Sequence, residues 1–132
     1  MIEVAMVFDP NGRVLFWHEP PGRSGGSIPD SRSLWEVLWE NRDYIAGVAH
    51  THPWKGNPVP SLTDVTTFKA VEAGLGIPLL WPIVTADKVS FFAMNPKTGG
   101  PTEWEKDPFE GNPWWEENIE ELRHRSLGGQ DG

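Results

Sequence analysis

The pair His50-Thr51-His52, which ends the apolar run Ile45-Ala46-Gly47-Val48-Ala49 and precedes Ser61-Leu62-Thr63-Asp64, constrains the fold of this chain more than any other feature. Residues i and i+2 of an extended backbone point to the same side, so a strand ending in this pair aims both imidazoles at one place. Ser61 and Asp64 have the spacing of a capping box, in which the hydroxyl accepts from a backbone N–H and the acid reaches back to the cap. A helix N-terminus set beside the strand end brings Asp64 to the two histidines and keeps the Ser61 hydroxyl nearby. Two His and one carboxylate are three protein ligands for a divalent metal. An open fourth position is what a catalytic zinc needs for the water that attacks. The plainer alternative is two strand-end histidines with unrelated hydrogen bonds.

The remainder of the chain predicts a frame for that constellation. Glu3 to Phe8 and Arg13 to His18 read as strands joined at the turn Asp9-Pro10-Asn11-Gly12. Glu19 to Pro29 is a Pro/Gly/Ser loop. Asp30 or Ser31 caps a helix to about Asp43, with Leu34, Val37 and Leu38 facing inward and Trp35 and Trp39 stacked one turn apart. After the histidine strand and the loop Trp54 to Pro60, a helix opens at Ser61. Val65, Phe68 and Val71 mark its face, and Gly74 and Gly76 stop it. Leu79 to Thr85 and Val89 to Met94 are strands around the turn Ala86-Asp87-Lys88. Asn95 to Gly111 reads as a turn-rich connector. Asn112-Pro113 starts a last helix that buries Trp115, Ile119 and Leu122. The order β-β-α-β-α-β-β-α predicts an α/β fold, a mixed sheet flanked by helices, with one domain over 1–125 and a disordered tail over 126–132.

Composition narrows the function classes. A chain of 132 residues suffices for one domain with a core. The eight Trp read as large apolar filler for that core. The lack of cysteine excludes disulfides, thiolate zinc sites and Cys nucleophiles. A net charge of −8 argues against a nucleic-acid partner, which calls for a basic surface. No apolar run approaches a membrane span, so no membrane partner is expected. The N-terminal Met1-Ile2-Glu3-Val4 carries no signal-peptide pattern, and the expected location is cytoplasmic. His18 reads as an ordinary surface residue, and His124 as a cation suited to a helix C-terminus.

Residues 50–64 resemble the JAMM motif of the JAB1/MPN/Mov34 metalloprotease family: a Glu, then His-x-His-Pro, then Ser-x-x-Asp. Here the motif is His50-Thr51-His52-Pro53 and Ser61-Leu62-Thr63-Asp64, with eight residues between His52 and Ser61. That gap is one longer than usual in the family, a difference a surface loop absorbs at little cost. The element order over about residues 1–94 is also similar. The resemblance implies an MPN/JAB-like, cytidine-deaminase-like fold with one zinc per chain on His50, His52 and Asp64. It places the general base at Glu3; Glu36 and Glu40 on the first helix and Glu19 in the loop are the reserve candidates for that role. The implied chemistry is hydrolysis of a peptide or isopeptide bond by a zinc-activated water. Glu3 takes the proton and returns it to the leaving amine, and Ser61 helps stabilise the oxyanion.

The implied substrate is a ubiquitin-like or sulfur-carrier protein cleaved after its C-terminal Gly-Gly, as in stand-alone prokaryotic members. Its tail would lie along an exposed strand. Trp54 stands where it either lines the groove for that tail, as a substrate-binding residue, or anchors the loop. A non-catalytic MPN-like scaffold is the alternative expectation. Leu127-Gly128-Gly129 resembles a ubiquitin-like terminus but reads as a flexible polar tail.

Overall fold

In the computed structural model, which describes residues 3–19, 32–52, 54 and 56–128, the first reversal of the chain is set by Asp9 and Gly12. Asp9 accepts at Oδ1 from the backbone N–H groups of Asn11 (2.9 Å) and Arg13 (3.0 Å). Gly12 takes a φ of 82°, a left-handed conformation that a side chain resists. The turn pairs β1 (Ala5–Phe8) antiparallel with β2 (Val14–His18). Every residue of β1 is buried, as in a strand with neighbours on both sides.

Six strands form one mixed sheet in the order β2-β1-β3-β4-β5-β6, with β3 at Gly47–Thr51, β4 at Leu80–Val84, β5 at Val89–Met94 and β6 at Pro101–Glu103. Only β3 and β4 run parallel, because a helix crosses over between them. That helix is α2 (Leu62–Leu75); α1 spans Arg32–Glu40 and α3 spans Pro113–Gly128. Alternation along the strands sorts apolar side chains into two cores. Val4, Met6, Phe8 and Ala49 pack with Trp115, Ile119 and Leu122 of α3. Ala5, Val7 and Val48 pack with Leu38 of α1 and with Phe68 and Leu75 of α2. The sheet is thus the middle layer of a small mixed α/β domain, and each large side chain buried in either core contributes roughly 1.5–3 kcal/mol. At Gly47 a Cβ would lie 2.0 Å from the Leu80 carbonyl oxygen, so only glycine lets β3 and β4 approach there.

Several expectations change. β6 forms inside the stretch read as a connector, pairing Met94 with Pro101 and Phe92 with Glu103. Gly74 lies within α2 rather than stopping it. Its bare face receives the Trp35 ring, which would stand 2.6 Å from a Cβ there. Gly76 is the stop, at φ 72° with its N–H bonded to the Glu72 carbonyl. Of the eight Trp, Trp81 and Trp115 fill the core as expected, whereas Trp35, Trp39, Trp54, Trp104 and Trp114 are exposed. Two of the exposed rings, Trp35 and Trp39, stack at 6.3 Å. Helix α3 runs through Gly128, and Ser126 is buried, where the sequence reads as a tail from residue 126. The expected caps Asp30 and Ser31, most of the loop from Glu19 to Pro29, and residues 129–132 lie outside the described residues. No helix among the described residues is long and apolar enough to cross a membrane.

Candidate metal centre

The site forms where two strand ends and a helix start meet on the sheet face that carries α1 and α2. β1 and β3 run antiparallel with Ala5 opposite His50. The same register, carried two residues further, sets Glu3 opposite His52. Opposed residues on antiparallel strands share a face, so Glu3, His50 and His52 stand side by side. Thr51, between the histidines, fixes this register. Its hydroxyl accepts from the Val4 N–H at 2.9 Å, and its own N–H donates to the Val4 carbonyl at 3.0 Å. His52 N–H donates to the Val84 carbonyl at 2.8 Å, which holds the pair against β4 as well.

Helix α2 delivers the acid. Ser61 is the N-cap, with extended φ and ψ, and both halves of the capping box form. The Asp64 N–H donates to Ser61 Oγ (3.0 Å), and the Ser61 N–H donates to Asp64 Oδ2 (2.9 Å). Asp64 then faces the histidines, with Oδ2 2.9 Å from His52 Nε2 and Oδ1 3.3 Å from His50 Nε2. The two Nε2 atoms are 3.2 Å apart. Ligand atoms about 2.0–2.1 Å from a tetrahedral zinc are separated by about 3.3 Å. The two imidazole nitrogens match that edge length, whereas Asp64 approaches them through two different oxygens, Oδ2 toward His52 and Oδ1 toward His50.

Glu3 completes the cluster. One ligand atom from each of Glu3, His50 and His52 lies within 4.8 Å of the others, so these buried groups are also close enough to hold a metal ion. The Glu3 oxygen nearest His52 Nε2 is 3.9 Å away, wider than the Asp64 contacts. Glu3 is 1% exposed, and neither carboxyl oxygen has a hydrogen-bond partner among the described residues. An unpartnered buried carboxylate is costly. Burial first, and then the charge of Asp64, pushes the Glu3 carboxyl up to about 8. Burial also acts to raise Asp64, but hydrogen bonds from His50 and His52, the His50 charge and the Ser61 N–H outweigh it. They hold Asp64 well below the usual carboxylate range. One acid of this pair is thus held neutral and the other ionised at neutral pH.

The aromatic surroundings are close. The Phe68 ring lies edge-on to His50 at 6.1 Å, and the half-exposed Trp54 ring sits 4.4 Å from His52. Ser61 is exposed, and its hydroxyl hydrogen is not used by the bond it accepts from Asp64. The structure therefore brings together Glu3, His50, His52, Ser61 and Asp64, with Trp54 against His52. The other carboxylates do not join them. Glu36 pairs with Arg32 on the exposed side of α1, Glu40 is exposed, and Glu19 binds Arg125 of α3 at 3.1 Å. His18 is not a surface residue: it is 1% exposed and pairs across β1 with Ala5. Thr51 was not singled out in the sequence. Its role is visible only once its hydroxyl is seen on the neighbouring strand.

Compared with protein-family models and with curated proteins, the chain finds no match.

Proposed function

We propose that this protein is a zinc-dependent metallopeptidase of the JAB1/MPN/Mov34 type, cleaving after the C-terminal Gly-Gly of a ubiquitin-like or sulfur-carrier protein. One observation carries the proposal: the buried Glu3, His50 and His52 lie close enough to hold a metal ion, with the Asp64 carboxylate against both imidazoles. The substrate class rests on the likeness of residues 50–64 to the JAMM motif.

His50, His52 and Asp64 would hold the metal. Bound zinc supplies Lewis acidity, making water a nucleophile near neutral pH and polarising the scissile carbonyl. Glu3 accepts the proton of the attacking water and passes it to the leaving amine. A divalent charge nearby would oppose the burial effect, favour the ionised form of Glu3 and bring its pKa down from about 8 toward the operating pH, where a proton acceptor works best. Ser61, fixed by the helix cap, donates its free O–H to the oxyanion that develops on the attacked carbonyl. Burial of His50, His52 and Asp64 keeps bulk water from weakening these interactions.

The deciding experiment is metal content by elemental mass spectrometry, followed by hydrolysis of a ubiquitin-like fusion. About one zinc per chain is expected in the wild type and none in His52→Ala. Glu3→Gln should keep the metal and lose on the order of 10²–10⁴-fold in rate, the range of a lost general base. Zinc binding without hydrolysis would favour a metal-binding scaffold. No zinc in the wild type after supplementation would defeat both readings.

A further inference from the structure

Among the described residues, no protein group pairs with the second ring nitrogen of His52. A metal-ligating imidazole generally donates its second N–H to a carbonyl, carboxylate or water, which fixes its rotation. His52 presents Nε2 to the site, but its Nδ1 is buried with no hydrogen-bond partner among the described residues. What the ring has is Trp54, 4.4 Å away and inclined at 39°. Trp54 is 44% exposed, so core packing alone does not hold it in place.

The backbone around Trp54 is tied to the turn between β4 and β5. The Trp54 N–H donates to the His52 carbonyl at 2.7 Å, and the Trp54 carbonyl accepts from the Ala86 N–H at 2.9 Å. Gly56, at a φ of 122°, bonds the same turn twice. Its N–H donates to Asp87 Oδ1 (3.0 Å), and its carbonyl accepts from the Thr85 hydroxyl (2.7 Å). Lys88 Nζ adds a bond to Asn57 Oδ1 at 2.8 Å. The turn is itself held from the opposite face of the sheet, where Arg123 of α3 donates to the carbonyls of Thr85 (2.9 Å) and Lys88 (3.2 Å). The Gly56 bond is the main reason the Asp87 carboxyl lies below its ordinary range.

We propose that the β4–β5 turn, through Thr85 and Asp87, clamps the segment carrying Trp54 and so holds the Trp54 indole against His52 as a positioning residue for that ligand. The inference rests on the metal-centre reading above, but it concerns the orientation of His52 in the chain itself. It gives Trp54 a positioning role in place of the groove-lining or loop-anchoring roles that the sequence left open.

Two readouts test it. The first is zinc affinity by competition with a chromogenic chelator. Asp87→Ala and Trp54→Ala should each weaken binding about tenfold, at the lower end of losses from groups that orient ligands. Asp87→Asn should restore affinity, because its amide oxygen still accepts from Gly56, and Trp54→Phe should retain most of it. The second readout is the His52 imidazole signal by NMR in chelator-treated protein. It should be sharp in the wild type and shifted or broadened in Asp87→Ala. If Trp54→Ala fails to fold, Asp87→Ala, at an exposed turn, still decides the matter. Affinities within twofold of wild type together with unchanged His52 signals would overturn the clamp. A wild type that takes up no zinc would defeat the metallopeptidase reading, and the metal-free NMR comparison would still judge the clamp separately.

Discussion

Glu3 is the residue whose chemistry depends most on where the fold puts it. An exposed glutamate titrates near its ordinary 4.5, whereas burial beside Asp64 raises Glu3 to about 8. Below about pH 4.5 the group is neutral in the folded and unfolded chains alike and carries no penalty. Between about 4.5 and 8 the unfolded chain ionises while the folded one stays neutral, so stability falls as pH rises, by at most about 1.4 kcal/mol per pH unit. Above about 8 the penalty is constant. Asp64 has the opposite sign. Its folded form is held ionised, so its stabilising contribution is present above its ordinary range and is lost in acid. Chelator-treated wild type should therefore lose stability to denaturant between pH 5 and 8, and Glu3→Gln should abolish that slope. An unchanged slope in Glu3→Gln would refute the assignment. The convergence of His50, His52, Ser61 and Asp64 was legible because local spacing defines it. Glu3 was legible only through its likeness to a family motif, since nothing local distinguishes it from any strand-end carboxylate.

At the scale of elements, the helix signals were the clearest. The capping box at Ser61 and the cap at Asn112, whose side chain accepts from the Trp115 N–H at 3.1 Å, work within one turn of backbone. Glycine was harder to read, because its role depends on a neighbour that is remote in sequence. Gly74 reads as a stop but serves as the seat for Trp35. Gly47 reads as an ordinary strand residue, yet a methyl there would meet the Leu80 carbonyl and the Phe8 ring. Gly47→Ala should cost about 3 kcal/mol or more in urea unfolding, at the upper end of overpacking effects because backbone cannot yield as a side chain can. Gly100→Ala, with its nearest neighbour at 3.9 Å and an ordinary φ, should change stability by less than about 1 kcal/mol. β6 escaped the sequence because three residues of Pro-Thr-Glu show no periodicity. The exposed edge of β5 makes them a strand.

For the whole molecule, the candidate metal centre joins pieces from distant parts of the chain: the residues leading into β1, the end of β3 and the N-terminus of α2. A cation bound there would act as a cross-link between the sheet and a helix, and would stabilise only the folded state. At a free zinc concentration of about 100 times Kd, stability should rise by about 2.7 kcal/mol. For a domain of this size that is an increase in Tm of about 10 °C. Differential scanning calorimetry should show the increase in the wild type, its reversal by chelator, and its absence in His52→Ala. A Tm that ignores zinc would mean the four groups do not share a cation. The net charge of −8 favours cation uptake over any nucleic-acid partner, and it also disfavours close approach of an acidic protein.

What was readable in the sequence is whatever backbone geometry settles within a few residues. The i, i+2 spacing of His50 and His52, the capping box, the Asp9–Gly12 turn and the inward face of α3 all belong to this class, and each took the predicted form. The tertiary structure decided what depends on partners far along the chain. Val4 and Thr51, 47 residues apart, must pair before Glu3 stands beside His52. The placement of Trp35, Trp39 and Trp54 on the surface, the burial of His18 and the bonds from Arg123 to the β4–β5 turn are likewise non-local. A strand carries the same alternation whichever neighbour it pairs with. Strand order and the covering of each face therefore follow from the packing of the whole domain.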